Sequence, residues 1–289
     1  MRKEIILIII LALLAVLFFL LNRMRKAAAD LNLVRIGLKQ SCGSERASRF
    51  CLISDIHISK MTVPWGTVLE AVKECSPEFI LITGDLVNTV SDIEAARDFI
   101  FTLAMGTGLP VLITAGNHDN SVACELPGGR EELFKRFTDM PGDVRVLDNE
   151  SCVIGGALVL GLDDVQHFGG DAQDEVNKCA QKAAENGLNF ILATHSADLL
   201  VRGAAPLKTP SEGISGVLCG HTHGGQIRLA AGLEFGLLKN DILPRRGIYY
   251  GPHEVEGFPV YITSGLGCAL FPLRMGTRPE VVLVTVEDR

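Results

Sequence analysis

The chain has 289 residues, 47% of them hydrophobic, and a formal net charge of −7. The length allows one or two domains. The acidic balance gives no compositional ground for a nucleic-acid-binding surface, and no nucleic-acid partner is indicated.

Ile5 to Leu21 is an unbroken apolar run of seventeen residues, with Arg2 and Lys3 before it and Arg23, Arg25 and Lys26 after it. At helical rise it reaches about 25 Å, the short end of a membrane span. A cleaved signal peptide has a shorter apolar core with a small-residue cleavage site behind it. Here Ala27-Ala28-Ala29 follows a basic cluster, the wrong flank. Residues 1–26 therefore read as an uncleaved membrane anchor. The slight excess of positive charge after the run puts the body on the cytoplasmic side of the cell membrane. Eight cysteines, scattered singly from Cys42 to Cys268 without a Cys-x-x-Cys pair, read as reduced thiols and point the same way.

Residues 27–49 form a linker with a possible first strand in the loosely alternating stretch Leu31 to Leu38. From residue 50 a rhythm begins and runs through the body, 50–289. Phe50-Cys51-Leu52-Ile53 is a short buried-type strand ending in Ser54-Asp55-Ile56-His57. Trp65 to Cys75 has helical periodicity and stops near Pro77. Phe79-Ile80-Leu81-Ile82 is a second strand, ending in Gly84-Asp85. Ser91 to Met105 is an amphipathic helix with Ser91 as its cap. Pro110 to Ile113 is a third strand, ending in Gly116-Asn117-His118-Asp119.

Further on, Arg130 to Phe137 reads as a helix. Val144 to Leu147, Cys152 to Ile154 and Ala157 to Leu160 read as strands, and Gly169 to Gly187 holds a polar helix. Phe190 to Ala193 ends in Thr194-His195. Val217-Leu218-Cys219 ends in Gly220-His221-Thr222-His223-Gly224-Gly225. In an extended backbone the two imidazoles of His-x-His point the same way. Tyr249-Tyr250, Val260 to Ile262 and Glu280 to Val286 read as strands. Strand and helix alternate, and polar residues collect at strand carboxyl ends, where sites lie in α/β sheets.

Five strand ends thus carry Asp55 and His57; Asp85; Asn117 and His118; His195; His221 and His223. Carboxylates, imidazoles and an amide, with no thiolate among them, suit Mn, Fe or Zn better than Ca or a closed structural zinc. The candidates outnumber the ligands of one ion, and two ions sharing a carboxylate would use them all. Gly84, Gly116 and Gly220 fit tight turns that build such a site. His167 and His253 match no motif and read as structural. Asp163-Asp164 reads as a turn, with a role at the cleft edge as the alternative. Gly236-Leu237-Leu238 and Ala269 to Leu273 read as core, with a membrane-facing acyl groove as the alternative.

In this order, Asp-x-His, Gly-Asp, Gly-Asn-His-Asp, a lone His after a strand and Gly-His-x-His resemble the calcineurin-like metallophosphoesterase family. The resemblance spans Phe50 to about Gly267. With the anchor and Gly-His-Thr-His-Gly-Gly-Gln, it is closest to a membrane-associated bacterial branch. That branch is similar to UDP-2,3-diacylglucosamine hydrolases and related phosphodiesterases. The resemblance implies a four-layer α/β/β/α sandwich behind the N-terminal helix and two divalent ions, Mn foremost. It implies that Asp55, His57 and His223 hold one ion, that Asn117, His195 and His221 hold the other, and that Asp85 bridges them. His118 is then the group that protonates the leaving oxygen. In the protein-phosphatase branch an Asp pairs with that histidine; here the position is Asn88, expected to orient His118 without stabilising its cation. The implied reaction is hydrolysis of a phosphodiester or pyrophosphate bond in a lipid-linked substrate at the membrane. A soluble nucleotide substrate and a non-catalytic metal-holding scaffold are the alternatives.

Overall fold

The computed structural model describes residues 2–41, 43–44, 46–163, 172–202, 206–228 and 241–287. The expectations for Asp164, for His167, for the start of the polar helix and for Gly236-Leu237-Leu238 lie outside them.

Two six-stranded sheets face each other. The first runs β1 (Asn32–Lys39), β12 (Glu280–Glu287), β2 (Ser48–Ile53), β3 (Phe79–Thr83), β4 (Val111–Thr114), β5 (Val144–Val146). The second runs β10 (Gly251–Val255), β11 (Phe258–Ile262), β9 (Gly216–Cys219), β8 (Asn189–Thr194), β7 (Ala157–Leu162), β6 (Glu150–Ile154). β2 to β5 are mutually parallel, as are β7, β8, β9 and β11. Residues 32–39 are thus an edge strand of the first sheet, parallel to β12.

The continuous apolar runs follow from burial on both faces. Along β2, Phe50 and Leu52 point between the sheets, while Cys51 and Ile53 face the outer helices. α2 (Trp65–Cys75), α3 (Ile93–Thr107) and α5 (Gly129–Thr138) cover the first sheet through Val68, Val72, Phe99, Leu133 and Phe137. α6 (Ala172–Glu185) covers the second through Val176, Ala180 and Ala183. The result is four layers, helix, sheet, sheet, helix, around three apolar cores.

Some boundaries differ from expectation for local reasons. Ser91 does not cap α3: it lies inside a 3-10 turn, Val90–Asp92, that leads into the helix, and Asp92 at the end of that turn accepts from the Thr89 backbone N–H at 3.1 Å. Asn117–Ala123 is a short helix, α4, so the Gly-Asn-His-Asp motif opens a helix. Tyr249 and Tyr250 precede a strand that starts at Gly251. Ala269 to Leu273 is not core: Leu270 is 70% and Phe271 63% exposed.

α1 (Arg2–Ala29) is long and apolar enough to cross a membrane, with a mean hydropathy of 3.3 over its apolar window, none of it buried. Its last turns meet the body. Thr62 donates to the Ala28 carbonyl at 2.6 Å, and the Arg274 N–H donates to the Met24 carbonyl at 3.1 Å.

Phe50 and Phe79 stack at 4.7 Å between the sheets, both fully buried. Phe79→Ala is expected to cost about 3–5 kcal/mol by opening a cavity that neither sheet can collapse into. The measurement is the urea midpoint of the full chain in detergent. An unchanged midpoint would contradict the sandwich core.

Candidate active site

All eight candidate residues follow the carboxyl ends of β2, β3, β4, β8 and β9, and all eight converge. Backbone hydrogen bonds lash the loops together. Asp55, His57 and Ile58 donate to the carbonyls of Gly84, Asp85 and Leu86 at 2.9, 2.9 and 3.0 Å, and Gly220 donates to His195 at 3.0 Å. Two donor groups result: Asp55, His57 and His223; and Asp85, His195 and His221.

The His-x-His pair does not sit in extended backbone. His221 and His223 have φ of 71° and 53°, so one ring enters each donor group. Asp55, His57 and Asp85 are left-handed too, at 49°, 39° and 56°. Among the described residues these are five of nine non-glycine positions with positive φ. Each costs on the order of 1–3 kcal/mol, and such strain concentrates at functional sites. Two glycines are sterically required. A Cβ on Gly116 would lie 2.2 Å from Asp85 Oδ1, and one on Gly220 would lie 2.2 Å from Asp55 Oδ2.

The hydrogen-bond partners fix which ring nitrogens face inward. The Thr83 carbonyl lies 2.8 Å from His195 Nδ1 and can only accept, so Nδ1 carries the proton. His195 Nε2 then points inward. It faces Asp85 Oδ2 at 3.2 Å, Asn117 Oδ1 at 3.1 Å and His221 Nδ1 at 3.1 Å. Asn88 Oδ1 accepts from His57 Nδ1 at 2.9 Å, turning His57 Nε2 inward to His223 Nε2 at 3.2 Å and Asp85 Oδ2 at 3.5 Å. His223 Nε2 lies 3.4 Å from Asp55 Oδ1. Ligand-type atoms thus crowd one another in a buried place, with fewer protons than contacts. A proton on one nitrogen satisfies one contact and leaves the others opposed; a cation satisfies them together. The residues fit a metal centre by this test. Asp85 Oδ2 is the atom near both groups, as a shared carboxylate must be.

The charges agree. Burial works against ionising Asp85, yet His195 and His57 outweigh it and hold its carboxyl well below the usual range. Burial pushes the His57 ring down despite Asp85 and Asp55. It acts the same way on His195, but Asp85 and Asp55 override it and push that ring up to about 10, so an ion held at Nε2 takes the place of a proton there. His118 stands apart. Its backbone N–H donates to Asp85 Oδ1 at 2.9 Å, and its half-buried ring sits edge-on to His57 at 4.9 Å. No hydrogen bond holds that ring among the described residues. Asn88, expected on His118, is engaged by His57 instead.

Three supporting residues carried no sequence signal strong enough to assign them. Asp119 accepts four backbone N–H groups, Asp85 and Gly116 on Oδ2 and Leu86 and Val87 on Oδ1, at 2.8–3.2 Å. Burial and the Asp85 charge push its carboxyl up to about 7 against those bonds. Asp241 Oδ1 lies 3.2 Å from His221 Nε2 and turns His221 Nδ1 inward. Arg274, fully buried, donates to the carbonyls of Ser264 at 2.8 Å, Gly265 at 3.2 Å and Gly267. The first of these lay within a motif; the other two come from distant chain. Asp163 is more than a turn residue: it is buried and engages Arg130 and Asn120. His253 bonds the Tyr250 carbonyl at 3.1 Å, a structural role.

The sequence profile for calcineurin-like phosphoesterase matches residues 48–225. An uncharacterized metallophosphoesterase of Bacillus subtilis (strain 168), YkoQ, is 24% identical over 86% of this chain and 87% of its own. The phosphodiesterase YaeI of Escherichia coli (strain K12) is 26% identical over 82% of this chain and 81% of its own. A Danio rerio transmembrane protein with a metallophosphoesterase domain is 25% identical over 88% of this chain, which spans 56% of that protein.

Asp119→Asn keeps one acceptor oxygen and strands two buried N–H groups opposite an amide NH2. The expected loss is about 2–4 kcal/mol, read as a lower urea midpoint. A midpoint within error of the parent would mean that Asp119 does not hold the loops.

Proposed function

The chain belongs to the calcineurin-like phosphoesterase family and is a metal-dependent phosphoester hydrolase; from that premise we propose that it cleaves a phosphodiester or pyrophosphate bond in a lipid-linked substrate at a membrane. One observation carries the metal assignment: the inward Nε2 atoms of His57 and His195 crowd carboxylate, amide and imidazole ligand atoms at 3.1–3.5 Å in a buried place. In this reading Asp55, His57 and His223 hold one divalent ion, Asn117, His195 and His221 hold a second, and Asp85 serves both. Mn is the favoured metal, with Fe or Zn as alternatives. When bound, two such ions lower the pKa of water and neutralise charge on phosphoryl oxygens.

The chain's own groups do the rest. Asn88 and the Thr83 carbonyl hold Nδ1–H of His57 and His195, which keeps each Nε2 available as a ligand. Asp241 does the same for His221 from the opposite ring nitrogen. The His118 ring has no hydrogen-bond partner among the described residues, is half-buried and sits beside His57, where a proton donor to the leaving oxygen would stand. With Asn88 spent on His57, that amide does not orient the His118 ring.

Membrane attachment rests on α1, whose apolar stretch is unburied. The lipid-linked substrate rests on that anchor: a site held at the bilayer meets substrates that live there. The basic residues after the apolar run favour a cytoplasmic body.

Purified full-length protein, stripped and reloaded with Mn, is expected to hydrolyse bis-p-nitrophenyl phosphate. His118→Ala should lower kcat about 10²–10⁴-fold with metal content unchanged, whereas Asp85→Ala should lose both metal and turnover. Activity that survives both changes would remove the assignment. Asp241→Ala should weaken metal binding about 10–100-fold, measured by chelator competition; equal affinity would reduce Asp241 to a bystander. Good turnover of water-soluble diesters by the body alone, with every lipid substrate ignored, would sink the lipid reading.

A further inference from the structure

A cavity of about 690 Å³ opens where the last turns of α1 meet the body. Leu20 and Met24 form part of its wall, and Arg23, Lys26, Arg228 and Arg278 line it. None of the eight residues of the candidate metal site lines it. It is a second, separate concavity, of a size that takes a small ligand.

Its charge is unbalanced. The two acids in its lining, Asp30 and Glu280, are already committed. Asp30 pairs with Arg278 at 3.3 Å. Glu280 is buried and accepts from Tyr250, Tyr261, Thr263 and the Ser264 N–H at 2.8–3.3 Å. Arg274 also lines the cavity, and its guanidinium is spent on backbone carbonyls. Arg23, Lys26 and Arg228 have no carboxylate partner among the described residues. Arg228 lies over the Tyr250 ring at 5.0 Å, its Nε–H on the Gly224 carbonyl at 2.9 Å. Three uncompensated cations therefore share one hollow.

Its surroundings are apolar on one side only. From Leu20 the surface of α1 continues upward through Leu17 and Phe18, 51% and 68% exposed. Beside its foot, the exposed Leu270-Phe271 tip is held by Gln226, which donates to the Phe271 carbonyl at 3.0 Å. Arg274, three residues on, ties the same loop to α1 at Met24. A basic hollow at the foot of an apolar column has the polarity profile of one leaflet's headgroup and acyl layers.

We propose that this cavity binds the anionic headgroup of a phospholipid whose acyl chains lie along α1. Arg23, Lys26 and Arg228 meet the phosphate, and Leu20 with Met24 meets the first methylenes. The lipid is held and not hydrolysed there, because the metal-site residues lie elsewhere. The proposal rests on α1 being a membrane anchor.

The test uses the full chain in nanodiscs of phosphatidylcholine alone or with phosphatidylglycerol, followed by native mass spectrometry of the detergent-released protein. One phosphatidylglycerol retained per chain, without retained phosphatidylcholine, is the expected result. Arg23→Gln should weaken retention about fivefold, whereas Arg25→Gln, the same charge loss outside the cavity lining, should leave it unchanged. Millimolar inorganic phosphate should not displace the lipid. Equal retention of both lipids, equal effects of the two substitutions, or displacement by phosphate would each overturn the proposal. A chain that enters neither kind of nanodisc overturns the anchor itself, and the headgroup site with it.

Discussion

The constraint on which this molecule depends is the crowding of ligand-type atoms in one buried place. His195 Nε2 has three such atoms within 3.2 Å, and His57 Nε2 faces another ring nitrogen at 3.2 Å. No arrangement of protons makes all those contacts favourable. Left alone, such a cluster would relax apart. It is held because each contributing loop is tied to its neighbours. Left-handed backbone at five of the site residues is part of what that holding costs.

The holding is done by the sandwich. Parallel strands of both sheets end at the same edge, so five turns meet there with their last carbonyls and first N–H groups available to one another. Asp119 gathers four N–H groups of two turns onto one carboxylate, while Arg274 gathers carbonyls of the turn after β11 onto one guanidinium. The two are complementary devices: a buried anion for orphan donors and a buried cation for orphan acceptors. Gly116 and Gly220 let these turns touch the carboxylates they surround.

The convergence of the eight candidate residues was legible in the sequence because each motif is local: an apolar run supplies the strand, and the ligand types follow within a few residues. The layers were legible because runs such as Phe50 to Ile53 are apolar at every position, as strands covered on both faces must be. What stayed hidden is what depends on backbone hand or distant chain. His221 and His223 diverge into separate donor groups because their backbone is left-handed, which no alternation rule predicts. Asn88 turned out to serve His57, since Nδ1 of that ring lies 2.9 Å away. Asp241 and Arg274 reach the site from beyond the last motif, where the sequence offered no pattern. Leu270 and Phe271 read as core by hydrophobicity alone, yet lie exposed at the foot of α1.

The central claim is that the crowded ligand atoms exist to share cations. The most direct measurement is metal content by inductively coupled plasma mass spectrometry on full-length protein reloaded with Mn and dialysed, paired with anomalous diffraction from the same sample. The account predicts two ions per chain, one within each of the donor groups built on Asp55 and on His195, both contacting Asp85. A protein that folds normally yet retains no ion, with His57 and His195 rotated to hydrogen-bond elsewhere, would contradict it.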